Sequence, residues 1–321
     1  MPWILRTAAT ATLTMGGGPM SDLSKILQRV EQLIERLEGV LPRPAPRTDW
    51  AASVAFRWRK VDGRGYLQPV RHPHAIRFSD LRDIERQKSL IDANTRQFVE
   101  RRPANNVLLT GARGTGKSSL IKACLNKYAG RGLRLIEVDK LDLIDLPDIA
   151  DQLDGRKERF LIFCDDLSFE TSETAYKALK AILDGSVAAP PDNVLIYATS
   201  NRRHLMPEYM HDNLDTKYLG DEIHPGESVE EKISLSERFG LWVSFYPFDQ
   251  DAYLDIVEHW LRECGCGEGL TKRCREAALQ WALSRGSRSG RVAWQFARDW
   301  AGRRPQSPVK LQAGGARREK K

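Results

Sequence analysis

The octapeptide Gly111-Ala112-Arg113-Gly114-Thr115-Gly116-Lys117-Ser118 constrains this chain more than any other feature. It fits G-x-x-x-x-G-K-[ST], a glycine loop that follows a strand and opens a helix. The apolar run Asn106–Thr110 precedes it, and a helical pattern over Lys117–Tyr128 follows. The glycines let the backbone turn so that N–H groups converge on an anion. The helix N-terminus adds its positive end. Lys117 then suits the β- and γ-phosphates of a nucleotide, and Ser118 suits Mg²⁺. The expected phosphate-binding segment runs from Gly111 through Ser119.

Further apolar runs at Leu133–Val138, Phe160–Cys164, Val194–Ala198 and Leu241–Tyr246 alternate with helical patterns such as Glu173–Leu183. Buried strands alternating with helices predict a parallel sheet covered on both faces, an α/β core. Two of these strands end in polar groups. The run Phe160–Cys164 is followed by Asp165 and Asp166. Carboxylates at that sheet edge lie beside the phosphate loop, where Asp165 would hold Mg²⁺ and Asp166 orient the attacking water. Asp is one methylene shorter than Glu, so turnover could be slow or Glu170 could share the task. The run Val194–Ala198 leads to Thr199, Ser200 and Asn201. Asn201 is the expected γ-phosphate and water contact, with Thr199 or Ser200 as rivals.

The composition bounds the rest. Hydrophobic residues make up 41% and charged residues 29% of 321 positions, the range of a globular chain. No apolar stretch is long enough to span a membrane. The net charge is +7, but residues 303–321 carry seven basic side chains against Glu319 alone, so the excess belongs to a tail expected to be disordered. Five cysteines suit a reduced, cytoplasmic protein. Cys264, Cys266 and Cys274 cluster without a second pair or a nearby His, which disfavours metal.

Residues 1–20 read as a disordered leader or an overextended start, and 21–47 as an amphipathic helix with a Pro-rich linker. Ser21 is its N-cap, and Leu23, Leu27, Val30, Ile34, Leu37 and Leu41 form its apolar stripe. Residues 48–78 read as an accessory segment. Its Phe56-Arg57-Trp58-Arg59 interleaves aromatic and basic side chains as single-strand binders do. A helix is expected over about Ser79–Glu100. The core is 79–247 and an all-α lid is 248–302, with helices over Ala252–Glu263, Thr271–Ser284 and Arg288–Trp300. The stretch 208–232, with His211, His224, Glu227, Glu230 and Glu231, is a weak metal candidate. Arg202, Arg203 and His204 suit an interface.

Phosphate loop, acidic pair, polar strand end, Ser236-Glu237-Arg238-Phe239-Gly240 and Gly286-Ser287-Arg288-Ser289-Gly290-Arg291 stand in the order of AAA+ ATPases, which the chain resembles. The strings NNVLLTGARGTGKSSLIKA, FLIFCDDLSFE and EEKISLSERFGLWVSFYPF look like one bacterial family within that superfamily, domain of unknown function family eight hundred and fifteen. The resemblance covers about residues 50–300. It implies a P-loop core with a parallel five-stranded sheet in order 5-1-4-3-2, a C-terminal helical lid, ATP and Mg²⁺. It also implies Arg238 as an arginine finger acting in a homo-oligomer, and Arg291, with Arg288 as rival, as a lid residue that senses nucleotide. The implied activity is ATP hydrolysis coupled to remodelling of an unidentified macromolecule. The alternative is a nucleic-acid loader or regulator using ATP as a slow switch. A GTPase is disfavoured because Asn126-Lys127-Tyr128-Ala129 lacks the acid of the base-reading motif.

Overall fold

The computed structural model describes residues 27–33, 46, 48–167, 173–184, 191–201, 217–219, 222–224, 237–267 and 269–303. The chain divides into two compact units, Met1–Pro46 with Val61–Arg64, and Arg47–Lys60 with Gly65–Lys321. In the first, residues 27–33 are helical (α1), and Leu27, Val30 and Leu33 are exposed. Its turn carries Asp62 and Gly63 at φ 51° and 74°, the positive pair a tight hairpin demands. The expected Ser21 cap, Leu23, and the stripe beyond residue 33 lie outside the described residues, as do Glu170, Arg202, Arg203, His204 and residues 304–321.

The second unit is built on a sheet. Its strands are β1 (Ala55–Val61), β2 (Arg64–Pro69), β3 (Val107–Gly111), β4 (Leu133–Glu137), β5 (Arg159–Cys164), β6 (Val194–Ser200) and β9 (Leu241–Phe245). The order is β2-β1-β4-β5-β6-β3-β9. This corrects the expectation of a five-stranded sheet in order 5-1-4-3-2: the sheet has seven strands, because residues 55–69 add two beyond β4, while the five expected runs keep that order among themselves. The β1–β4 pairing is parallel, like β4–β5, β5–β6, β6–β3 and β3–β9. Phe56 and Trp58 are buried while Arg57 and Arg59 are exposed, the period-2 pattern of a half-buried strand. The Trp58 indole donates to Asp145 at 2.8 Å. The aromatic half of that single-strand-binder pattern is therefore core. Strands β7 (Lys217–Leu219) and β8 (Glu222–His224) form a separate antiparallel pair. Apart from the backbone of β7 and β8, the metal candidate at 208–232 lies outside the described residues.

Successive residues of one strand enter opposite layers. Leu108, Ile162 and Ile196 pack toward α4 (Leu146–Leu153) and α5 (Glu173–Asp184). Val107, Leu109, Leu161 and Phe163 pack with α2 (Glu85–Val99) and α3 (Lys117–Tyr128). Continuous apolar runs are thus explained by burial on both faces. Truncating one such residue, Leu108→Ala for example, costs about 2–5 kcal/mol. The helix expected over Ser79–Glu100 is divided: a 3₁₀ turn spans Phe78–Asp80, Asp83 adopts φ 58°, and α2 starts at Glu85. A left-handed residue cannot continue an α-helix.

After β9 come α6 (Gln250–Glu263), α7 (Lys272–Ser284) and α8 (Gly290–Gly302), around a core of their own that includes Tyr253, Leu261, Ala278 and Phe296. Cys266 and Cys274 are buried in it. Each helix has a side-chain N-cap: Asp249 accepts from Ala252 N, Thr271 from Cys274 N and Ser289 from Val292 N. Among the described residues no helix is long and apolar enough to cross a membrane.

Candidate functional site

The loop after β3 is closed by its glycines. Gly111, Gly114 and Gly116 have φ of 123°, 74° and 98°. A Cβ on Gly111 would lie 1.9 Å from the Phe245 carbonyl oxygen, and one on Gly114 would lie 2.8 Å from Ser289. The loop therefore sits tightly between the edge strand β9 and the start of α8. Gly290 N donates to Gly114 O at 2.9 Å. Thr115 Oγ1 donates to Ala112 O at 2.8 Å and braces the turn.

Lys117 opens α3 and is only 6% exposed. Its Nζ donates to Gly111 O and Ala112 O at 2.7 Å each, and to Asn201 Oδ1 at 3.1 Å. Burial pushes its pKa down to about 8, with Asp165 and Asp166 opposing and Arg113 and Arg291 adding to the fall. A desolvated ammonium gains from an anion brought beside it.

Asp165 Oδ1 accepts from Ser118 Oγ and from Thr199 Oγ1, both at 2.6 Å. The Thr199 hydroxyl in turn accepts from Asp166 N at 3.0 Å. Asp166 sits at φ 53°, a costly conformation for a residue with a Cβ. Its Oδ1 accepts from Asn201 Nδ2 at 2.5 Å. The ends of β3, β5 and β6 thus converge because parallel strands deliver their C-terminal residues to one edge.

These groups line a cavity of about 620 Å³, within the range of small-molecule sites. Arg113 to Ser119, Asp165, Asp166, Thr199, Asn201 and Arg291 all face it. Arg288, the rival of Arg291, is exposed and is not part of the lining. Leu81, Ile84, Phe248, Trp260 and Trp294 add apolar wall. Sequence reasoning missed these apolar residues, because they come from segments far apart and carry no motif. It named Thr199 only as a rival of Asn201, although the hydroxyl ties the two acids together. Arg238 is not in this cavity. Its Nε donates to Asp184 Oδ1 at 2.5 Å, at the end of α5.

Nucleotide and metal fit these donors. The three left-handed glycines and the buried ammonium form an anion cradle. The hydroxyl of Ser118 and the Asp165 carboxylate are hard oxygen ligands that already meet. Among the described residues no group of three His, Cys, Asp or Glu could hold a metal. Mg²⁺ held here would complete its shell with phosphate oxygens and water, as it commonly does.

A family model described as "Protein of unknown function (DUF815)" matches residues 51–304. No curated protein matches the chain. Among solved structures, a point variant of Thermotoga maritima RuvB gives a TM-score of 0.44 at 14% identity, covering 69% of this chain and 63% of that one. Another RuvB variant gives 0.45 at 16% identity, with 69% and 64% covered. PCH-2 of C. elegans gives 0.42 at 17% identity, with 71% and 66% covered. The chain spans less than two thirds of these two RuvB chains.

Proposed function

The chain belongs to the DUF815 family, whose description names no activity, and we propose that it is a cytoplasmic AAA+ ATPase. In this reading it binds ATP with Mg²⁺ and hydrolyses it at interfaces between copies of itself. The cycle is coupled to remodelling of a macromolecular partner. The observation that carries the reading is the linked set Lys117–Asn201–Asp166 and Ser118–Asp165–Thr199 around one cavity.

Lys117 exchanges its carbonyl partners for β- and γ-phosphate oxygens. Ser118 and, through water, Asp165 would hold Mg²⁺, which would supply positive charge against the transferring group. Asp166 orients the attacking water and takes its proton, and Asn201 fixes that carboxylate. Arg291 meets the phosphates from the lid. Arg238 lies outside its own cavity, which suits a finger acting on a neighbouring copy. In this division, 79–247 is the core, extended by the β1–β2 hairpin, and 248–302 is the lid.

The reading is tested by ATP turnover against protein concentration, with mass from light scattering with and without ATP. Specific activity that rises with concentration, alongside an ATP-dependent oligomer, supports it. A monomer that holds ATP and turns it over slowly at every concentration favours the second reading, a nucleic-acid loader or regulator. That reading has support in the Asp166–Asn201 contact, which occupies the water-activating carboxylate. It loses one motive, since Trp58 is buried.

A further inference from the structure

A second cavity, of about 450 Å³, opens at the other end of the sheet. Asn106, Arg159 and Val194, at the amino-terminal ends of β3, β5 and β6, line it. The strands are parallel and five to seven residues long. At about 3.3 Å per residue, this cavity and the phosphate loop are therefore roughly 20 Å apart.

Arg159 is the unusual group there. It is 9% exposed. Its Nη1 donates to the Asp192 carbonyl at 2.5 Å, and its Nε has no hydrogen-bond partner among the described residues. The Asp192 carboxylate lies 3.9 Å away with its side chain 98% exposed, a weak counter-charge. The Phe98 ring lies 5.1 Å from the guanidinium carbon. A buried guanidinium with so little compensation is expensive unless an anion joins it. Desolvation accordingly lowers its pKa.

The surroundings define the anion. Arg101 stands exposed at the rim, and the hydrogen bond of its guanidinium to the Lys157 carbonyl is a long one, 3.5 Å. Arg102 is already paired with Glu100. The floor is apolar, with Phe98, Ile162, Ile182 and Leu195. The charge left over suits a monoanion better than a dianion, and the floor asks for a hydrophobic body. A planar guanidinium fork matches a carboxylate. We infer that this cavity is a binding site for a carboxylate with an apolar or aromatic body, held by Arg159 and Arg101. Such a group could be a small carboxylic acid or the C-terminal carboxylate of a polypeptide ending in a hydrophobic residue.

The test is calorimetric titration of the full chain with 3-phenylpropionate, its neutral amide, inorganic phosphate, and a pentapeptide ending in Phe with a free or an amidated C-terminus. The acid is expected to bind, the amide and the amidated peptide to fail, and ATP not to displace it. Arg159→Met is expected to weaken binding by about tenfold or more, as loss of a hydrogen bond to charge does. Ala104→Phe, at a half-buried lining residue, fills the space without touching Arg159 and should abolish binding even if Arg159→Met fails to fold. Binding of the free-ended peptide assigns the site to polypeptide termini, and binding of the small acid alone assigns it to a metabolite. The inference is overturned if no carboxylate binds, if phosphate binds equally well, if ATP displaces the acid, or if Ala104→Phe binds as the native chain does.

Discussion

Asn201 holds Asp166: the amide nitrogen donates to the carboxylate at 2.5 Å. The oxygen of the same amide accepts Lys117 Nζ at 3.1 Å. The amide has one orientation that satisfies both neighbours, because the reverse would set two oxygens together. It couples the Lys117 ammonium to the Asp166 carboxylate.

Removing either end of that link should have the same consequence. Asp166→Asn and Asn201→Ala are each expected to lower kcat by about 10²-fold or more while ATP still binds, the scale of a lost or misplaced general base. The double variant should be no slower than Asp166→Asn, since residues acting as one unit are not additive. Single-turnover kinetics with a separate measurement of Kd checks this.

The charge of Lys117 sets a pH limit. Its pKa is about 8 in the folded chain against 10.5 ordinarily. Below pH 8 both folded and unfolded chains hold the proton, and the cost of burying it is fully present. Between 8 and 10.5 only the unfolded chain holds it, so this group's contribution to stability rises with pH. Phosphate binding runs the other way. ATP affinity should fall by up to about tenfold per pH unit above 8. In Lys117→Arg that dependence should vanish, because Arg stays charged. Titration of ATP affinity between pH 7 and 10 measures both.

The loop has no room to grow at Gly111. In Gly111→Ala the new Cβ would meet the Phe245 carbonyl at 1.9 Å and require φ near 123°. Backbone cannot yield as a flexible side chain does. We expect a loss of stability of about 2 kcal/mol or more and loss of ATP binding, read by denaturant unfolding and nucleotide titration.

Arg238 separates a structural role from one acting on a second copy. Its ion pair with Asp184 is partly exposed, so Asp184→Asn should cost no more than about 1 kcal/mol and leave turnover in place. Arg238→Ala is expected to cut turnover by about 10³-fold with ATP affinity intact. Mixing inactive Arg238→Ala with inactive Lys117→Ala should recover part of the activity. An intact loop on one chain can then meet an intact arginine on another. Absence of recovery, with Arg238→Ala turning over normally, removes the arrangement in trans.

Local chemistry by itself determined a good part of this protein. The glycine loop announces itself because few residues tolerate positive φ, and α3 spans the same residues, Lys117–Tyr128, that the pattern predicts. The continuous runs in β3, β5 and β6 are legible because double-sided burial excludes polar residues. The acid pair and Asn201 follow because each ends such a run. Tertiary structure decided what depends on a distant partner. Phe56-Arg57-Trp58-Arg59 suits a strand or a nucleic-acid patch equally well, and pairing with β4 chose the strand. Arg238 meets an Asp 54 positions away. Arg159 is an unremarkable basic residue until three strand ends bury it beside Phe98. Burial and pairing across long separations are properties of the packed chain, and spacing along the sequence carries no record of them.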